Sequence, residues 1–334
     1  MTPRILMVFT TLLIALQLNE ILMHASSEGY GLLIVVTVPS IVKDVESIVC
    51  YSDRVVSLVP PGVDPHEYQL TPRDVATLKK ADVIVSLGHT HFEIRIRELV
   101  ERGDVKAKLI EIPYIPGIEL MTNPMTGGIN YHMPIYDPRN YVKFVKYLSR
   151  VLSSLNPSCA QVYRTRRDHV IELVEDLLMH APKLNLTAVA ANPMLQYAVA
   201  WLGIDVRYLV VREVGVPAIP SDIVRVREVL GREANVAVVM EPSDVASKFL
   251  ESLAKQRGVP VIRVKAPYIA DSVIDEIVNV YRQALNLSTK SLTTAVTCSG
   301  IEKRISVVPL PLFISTLIVG VAISVAILLR LVRR

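Results

Sequence analysis

The stretch LVPPGVDPHEYQLTPRDVATLKKADVIVSLG, residues 58–88, contains a loop, a helical pattern and a strand-like run in immediate succession. Thr71 suits a helix N-cap, Pro72 suits the first helical position, and Asp74 places a negative charge in the first turn. The final apolar run has the length and composition of a strand that is buried on both faces. The stretch therefore predicts a β-loop-α-β unit whose loop carries one imidazole, His66.

Short apolar runs alternate with helical patterns through most of the chain, and the alternation restarts in the second half. Such runs occupy residues 32–38, 54–59, 82–88 and 108–113, and then residues 187–192, 205–211, 236–241 and 261–266. This alternation predicts an α/β fold with mostly parallel sheets and helices on both faces of each sheet. The length of each half suits one Rossmann-like lobe.

A long amphipathic pattern separates the two halves, at residues 158–182. Five of its apolar residues fall on one helical face: Val170, Leu173, Val174, Leu177 and Leu178. A single helix of about 24 residues would be ~36 Å long. We therefore predict an N-terminal α/β lobe at residues 27–157 and a C-terminal α/β lobe at residues 183–286, joined by one rigid helix with a ligand cleft between the lobes.

The N-terminus has the pattern of a secretory signal. Arg4 is followed by fifteen uncharged residues and then by small residues near position 25. The apolar run is short for a membrane span. The pattern predicts a signal peptide at residues 1–26, and an uncleaved anchor is the alternative.

The C-terminus has the pattern of a membrane anchor. Residues 305–329 carry no charge and are long enough to cross a bilayer. The basic tail at residues 330–334 should remain cytoplasmic. A Ser/Thr-rich tether is predicted at residues 287–304. The prediction is a single-pass protein of the cell membrane whose main domain is extracellular or periplasmic.

Charge and cysteine content narrow the classes of partner. The formal net charge is +4, and no basic cluster resembles a nucleic-acid surface. The three cysteines, Cys50, Cys159 and Cys298, show neither CxxC nor zinc-finger spacing. One disulfide can form in an oxidising compartment, and the odd count leaves one cysteine over. The sequence alone does not decide whether Cys50 and Cys159 pair.

Several histidines follow predicted strands. His66 comes after the second strand, His89 and His91 come after the third, and His132 precedes a helical pattern. Asn192 ends the first strand of the C-terminal lobe. Ligands of open α/β sheets bind beyond the carboxyl ends of the strands, so these residues can face one cleft. Several imidazoles in one extracytoplasmic cleft indicate a transition-metal site.

At these residues the sequence resembles the metal-specific (zinc/manganese) solute-binding proteins of ABC transporters. Residues 62–74 match the family pattern G-x-D-P-H-E-Y-x-x-T-P-x-D, whose histidine, here His66, is the first metal ligand. HMPIYDPRN resembles the H-x-W-x-D-P-like segment of the second ligand, here His132, without its tryptophan. The resemblance covers most of residues 33–285. It implies two lobes on a rigid helix, modest closure on metal binding, and delivery to a permease with its ATPase.

The sequence departs from the family at both ligand positions of the C-terminal lobe. Asn192 stands at the third ligand position and Ala266 at the fourth. Asparagine is a weak zinc ligand and alanine offers none. Other residues that could complete the metal shell are His89, His91, Glu241 and Asp271.

The sequence thus predicts an extracytoplasmic, membrane-tethered, monomeric solute-binding protein that captures zinc, or manganese as second choice, for an ABC importer. A metal-dependent hydrolase would need an open coordination position and a general base, and no HExxH pair occurs. We therefore expect no enzyme activity. The alternative function is a sensor, or a carrier of a non-metal ligand, on the same scaffold.

Overall fold

A computed structural model of the protein describes residues 31–298, with side chains to residue 288. The first four strands form one parallel sheet in the order β2-β1-β3-β4. They are β1 (Leu33–Val36), β2 (Arg54–Ser57), β3 (Val83–Ser86) and β4 (Lys108–Glu111). All four residues of β3 are buried, which is why this run contains no polar residue before Ser86.

Helices cover both faces of this sheet: α1 (Ile41–Glu46), α2 (Pro72–Leu78) and α3 (His91–Glu101). Ile34 packs in one core cluster with Ile41 of α1, whereas Val35 packs in a second cluster with Leu78 of α2 and Ile96 of α3. Successive side chains of a strand point to opposite faces, so β1 supplies both clusters.

The middle of the chain contains the hairpin β5 (Met121–Thr122) and β6 (Ile129–Asn130), followed by the helices α4 (Pro138–Leu155) and α5 (Ala160–His180). Asp137 accepts a hydrogen bond from the backbone of Arg139 and so starts α4, with Pro138 at the first helical position. The 21-residue α5 lies between the two sheets in the sequence, within the range predicted for the linker helix.

The second half repeats the α/β pattern. Its parallel sheet has the order β10-β9-β7-β8. The elements are β7 (Leu186–Ala190), α6 (Gln196–Ala200), β8 (Ile204–Leu209), α7 (Pro220–Val229), β9 (Val236–Glu241), α8 (Val245–Arg257), β10 (Val261–Lys265) and α9 (Val273–Cys298). The predicted class of parallel sheets flanked by helices is confirmed. We call residues 31–159 the N-terminal lobe and residues 181–288 the C-terminal lobe.

Hydrogen bonds join the lobes near the carboxyl ends of the strands. The backbone N–H of Gly62 donates to the carbonyl of Tyr268 at 2.8 Å, and the Tyr136 hydroxyl donates to the carbonyl of Lys265 at 2.8 Å. One core cluster contains residues of both lobes. The strand ends of the two sheets therefore lie close together, where a shared cleft was predicted.

The predicted signal peptide, the span at residues 305–329 and the basic tail lie outside the described residues. In the described part, no helix is long and apolar enough to cross a membrane. Residues 287–298, predicted to begin the tether, instead continue α9. A disulfide joins Cys50 to Cys159, 109 residues apart, with the Cα atoms separated by 6.0 Å.

Candidate metal site

His66 lies in the loop after β2 and is oriented by Asp64. The Asp64 Oδ1 atom accepts a hydrogen bond from the His66 backbone N–H at 2.9 Å and lies 3.0 Å from Nδ1 of the ring. The hydrogen bond from the His66 ring is the main cause of a lowered pKa at Asp64, against the opposing effect of burial. A carboxylate at Nδ1 places the hydrogen there and leaves Nε2 free as a ligand atom.

His89 lies in the short turn between β3 and α3, which is built around the carboxylate of Glu93. This carboxylate accepts hydrogen bonds from the backbone N–H groups of Leu87, His89 and Thr90. Gly88 has a φ of +73°, the left-handed conformation that glycine adopts most easily. The turn therefore fixes the position of the His89 ring relative to β3.

His132 follows β6 and is oriented by Asn130. The Asn130 Oδ1 atom accepts from the His132 backbone N–H at 3.0 Å and lies 3.1 Å from Nδ1 of the ring. The Asn130 side-chain nitrogen donates to the Pro193 carbonyl and to Gln196 Oε1, both in the C-terminal lobe. These partners set the direction of the amide, so Nε2 of His132 points away from Asn130 and toward the cleft.

The three rings converge. Each of the rings of His66, His89 and His132 has one nitrogen atom that lies within 4.8 Å of a nitrogen atom of the other two rings. Ring centroids are 5.5 Å apart for His66 and His89, and 4.6 Å apart for His89 and His132. The Nε2 atoms of His66 and His89 are buried and have no hydrogen-bond partner in the described chain. Buried polar atoms are normally paired, so this unpaired set indicates a site for a ligand.

The electrostatics of the cluster suit a cation. Burial, reinforced by the neighbouring His132, lowers the pKa of His89 to about 4. The His89 ring is therefore neutral at pH 7 and has a lone pair to donate. Burial alone would raise the pKa of Glu93, but the charge that His89 carries when it is protonated in acid, together with hydrogen bonds from Thr37 and Thr90, outweighs burial and lowers the pKa.

One carboxylate of the C-terminal lobe, which no motif of the sequence indicated, contacts the cluster at His132. Glu213 follows β8, and its Oε1 atom lies 2.9 Å from Nε2 of His132. Burial favours a higher pKa at Glu213, but the hydrogen bond and charge of His132 outweigh it and lower the pKa. An acidic residue just past a strand end of this lobe is the one signal in the sequence that could have pointed to Glu213.

The space among these side chains is small and mostly apolar. The cavity has a volume of about 20 Å³, and its lining includes Leu87, Met133, Met194, Val214 and Met240 beside the three rings. A volume of this size holds one water-sized species. Apolar walls around nitrogen atoms strengthen their interaction with a cation, because little water screens it.

The other candidates from the sequence have partners outside the three histidines. Asn192 is buried and caps a turn, accepting from the backbone N–H of Met194, and Ala266 is fully buried. Glu241 lies 3.5 Å from Arg263, and Asp271 pairs with Lys43 and Lys265. His91 is the exposed first residue of α3. Among the described residues, the side chains of Glu241, Asp271 and His91 lie outside the histidine cluster.

The fold and the histidine cluster define a metal-binding protein of the solute-binding class. Residues 34–295 match the family described as "Zinc-uptake complex component A periplasmic". The match covers more than half of the chain, and the chain belongs to this family.

Relatives and solved structures agree with this assignment. A manganese-binding lipoprotein, MntA, from Halalkalibacterium halodurans is 26% identical over 71% of this chain and 79% of its own length. An iron-binding protein, YfeA, from Yersinia pestis is 24% identical over 67% of this chain and 74% of its own length. The solute-binding protein FpvC from Pseudomonas aeruginosa, solved with Mn²⁺, superposes with a TM-score of 0.65 at 20% identity, over 78% of this chain and 99% of FpvC. The last match shows the shared fold.

Proposed function

We propose that this protein captures a divalent transition metal outside the cytoplasm, at His66, His89 and His132, and delivers it to the permease of an ABC importer. The observation that carries the proposal is the pair of buried, unpaired Nε2 atoms of His66 and His89 beside His132. A metal ion is the ligand that pairs all three nitrogen atoms at once. Such an ion is the cargo of the protein.

Zinc is the first choice of metal and manganese the second. Three imidazole nitrogens are borderline ligands, and the Irving–Williams order places Zn²⁺ above Mn²⁺ at a nitrogen-rich site. The low pKa of His89 means that this ligand releases no proton when metal binds at neutral pH. The family description refers to zinc, and the names of two relatives refer to manganese and iron. The preference for zinc is therefore based on the donor atoms of this chain.

A non-metal ligand suits the site less well. Pockets for small molecules usually have volumes of about 300–1,000 Å³. The cavity at the histidines has about 20 Å³. A sensor that responds to the same metal uses the same ligands, and a test of transport separates it from a carrier.

The predicted ends of the chain place this activity at the membrane. A signal peptide at residues 1–26 would export the domain, and a span at residues 305–329 would keep it beside the permease. Tethering raises the effective concentration of the loaded protein at its partner. The Cys50–Cys159 disulfide supports an oxidising compartment.

The test is metal titration of the full-length protein in detergent, after removal of metal by a chelator. We expect one tight equivalent of Zn²⁺, with Mn²⁺ bound more weakly, and loss of tight binding in His66→Ala and His132→Ala. His169→Ala is the matched control, because His169 is exposed on α5. A folded wild-type protein that takes up no stoichiometric metal would refute the proposal.

A further inference from the structure

We infer that Glu213 is the fourth ligand of the metal, that it is the ligand contributed by the C-terminal lobe, and that its loop controls metal release. The inference rests on the proposed function, since it concerns the same site. The family resemblance places the ligands of this lobe at two positions, which are Asn192 and Ala266 here. Glu213 is at neither position.

The Glu213 carboxylate lies at ligand-like distance from one of the three histidines. Glu213 Oε1 lies 2.9 Å from His132 Nε2. Two such ligand atoms on a tetrahedral zinc, each bound at about 2.0–2.1 Å, are ~3.3 Å apart. The carboxylate is therefore close enough to His132 to share an ion with it, but it lies outside the 4.8 Å group of the three rings and must shift to reach an ion that all three bind. A carboxylate oxygen beside three imidazole nitrogens also completes a four-coordinate zinc shell.

Three other polar side chains of this lobe that the sequence offered as ligands already have partners. The Asn192 Oδ1 atom accepts a hydrogen bond from the Met194 backbone, and its nitrogen faces the sulfur of Met240 at 3.8 Å. Glu241 and Asp271 face basic side chains. Within residues 181–288, Glu213 is the acidic side chain that contacts one of the three histidines, His132.

The loop that carries Glu213 is anchored at one end and exposed at the other. Its beginning is fixed, because Arg212 forms two hydrogen bonds with Asp222 and its carbonyl accepts from Asn123 of the N-terminal lobe. Beyond Glu213 the chain turns at Gly215, with φ +77°, and residues 215–220 are exposed. Glu213 thus lies where an anchored segment becomes an exposed one.

Release can follow from this construction without separation of the lobes. The three histidines belong to the N-terminal lobe and keep their orienting partners whether or not Glu213 is present. Withdrawal of the exposed loop removes one ligand and opens one side of the apolar cavity, because Val214 lines it. The metal would then remain on three nitrogens with an open position that water or a permease ligand can take.

Glu213 could instead act as a plug that pairs with His132 while the site is empty. A plug competes with the metal, so its removal would leave metal affinity unchanged or raise it. A ligand contributes to the bound state, so its removal lowers metal affinity. The two roles therefore predict different changes in metal affinity when Glu213 is removed.

The experiment compares Glu213→Gln and Glu213→Ala with the wild type in full-length protein. Zn²⁺ affinity is measured by competition with a chromophoric chelator, and Zn²⁺ release by stopped flow. We expect affinity to fall at least about tenfold, release to accelerate by a similar factor, and association to change little. Glu67→Gln is the matched control, since Glu67 is an exposed acid adjacent to His66 in the sequence. Unchanged or tighter binding in both Glu213 variants would overturn the inference.

Zinc X-ray absorption supplies an independent measurement. The wild-type spectrum should fit three imidazoles and one carboxylate oxygen, and the Glu213→Ala spectrum should lose that carboxylate. If the wild type binds zinc and both variants retain its affinity and spectrum, the inference fails while the proposed function stands. If the wild type binds no metal, both fail. Circular dichroism establishes that each variant is folded, as the half-exposed position of Glu213 predicts.

Discussion

Asp44 of α1 accepts a hydrogen bond from the backbone N–H of Val273, the first residue of α9, at 2.8 Å. Its other carboxylate oxygen accepts from the backbone of Ile274 at 3.2 Å and from the hydroxyl of Tyr141 at 2.7 Å. Asp44 is 1% exposed. One buried carboxylate thus joins the N-terminal lobe to the start of a C-terminal helix, where unpaired N–H groups favour negative charge.

Replacing Asp44 with alanine should destabilise the protein by about 3 kcal/mol. The change leaves three buried donors without an acceptor, and each unsatisfied donor has a large desolvation cost. Urea unfolding of the metal-free protein measures the free energy of unfolding. Lys43→Ala is the control, because its ion pair with Asp271 is exposed and should be worth less than about 1 kcal/mol. Equal effects of the two substitutions would contradict this account of the contact.

Glu276 of α9 should make stability depend on pH. Burial raises its pKa to about 7 in the folded protein, against 4.5 as its ordinary value. The folded state therefore binds this proton more tightly than the unfolded state. The resulting stabilisation is complete below about pH 4.5 and is lost as the pH rises to about 7.

Glu276→Gln removes this titration and keeps an oxygen that can accept the hydrogen bond of Lys265. The stability of the variant relative to the wild type should rise by up to about 3 kcal/mol between pH 4.5 and pH 8. Chemical unfolding at several pH values gives this difference. A difference that stays constant over the range would show that Glu276 does not titrate there.

The Cys50–Cys159 disulfide should stabilise the fold substantially. It closes a long loop, with a sequence separation of 109 residues. Restriction of the unfolded chain predicts a contribution of about 2–5 kcal/mol. Urea unfolding of the Cys50→Ser/Cys159→Ser double variant, with and without reductant, measures it. Reductant should lower the stability of the wild type alone, and an equal response of the double variant would contradict the assignment.

His89 and His91 provide a matched pair for the site. His89→Ala removes a ring from the cluster and should weaken zinc binding at least about tenfold, whereas His91→Ala should leave it unchanged. Calorimetric titration of both variants under identical conditions gives the comparison. A larger loss in His91→Ala would show that the turn after β3 is arranged differently when metal is bound.

The α/β class, with parallel sheets flanked by helices, could be predicted from the sequence because its signals are local. Thr71 caps α2 through a reciprocal capping box with Asp74, as their spacing predicts. The predicted helix at residues 158–182 corresponds to α5, Ala160–His180. These features depend on residues that are a few positions apart. The parallel sheets follow from the alternation of strand-like runs and helical patterns along the chain.

The complete site could not be predicted, because it depends on how separate loops meet. His89 and His91 both follow the same predicted strand, so the sequence does not distinguish them as ligands. In the structure α3 begins at His91, and His89 is the histidine that remains in the turn. Asp271 follows a strand as Glu213 does, yet it faces two lysines and lies outside the histidine cluster. Glu213 belongs to no motif, and its distance from His132 is set by the approach of the two lobes.

The most direct test of the metal site is a crystal structure of the zinc-loaded protein, with anomalous diffraction data at the zinc edge. We predict one strong peak bound by Nε2 of His66, His89 and His132, with Glu213 as the fourth ligand, at about 2.0–2.1 Å from each atom. A peak at another place, or a folded, zinc-soaked protein without a peak at these histidines, would contradict the account.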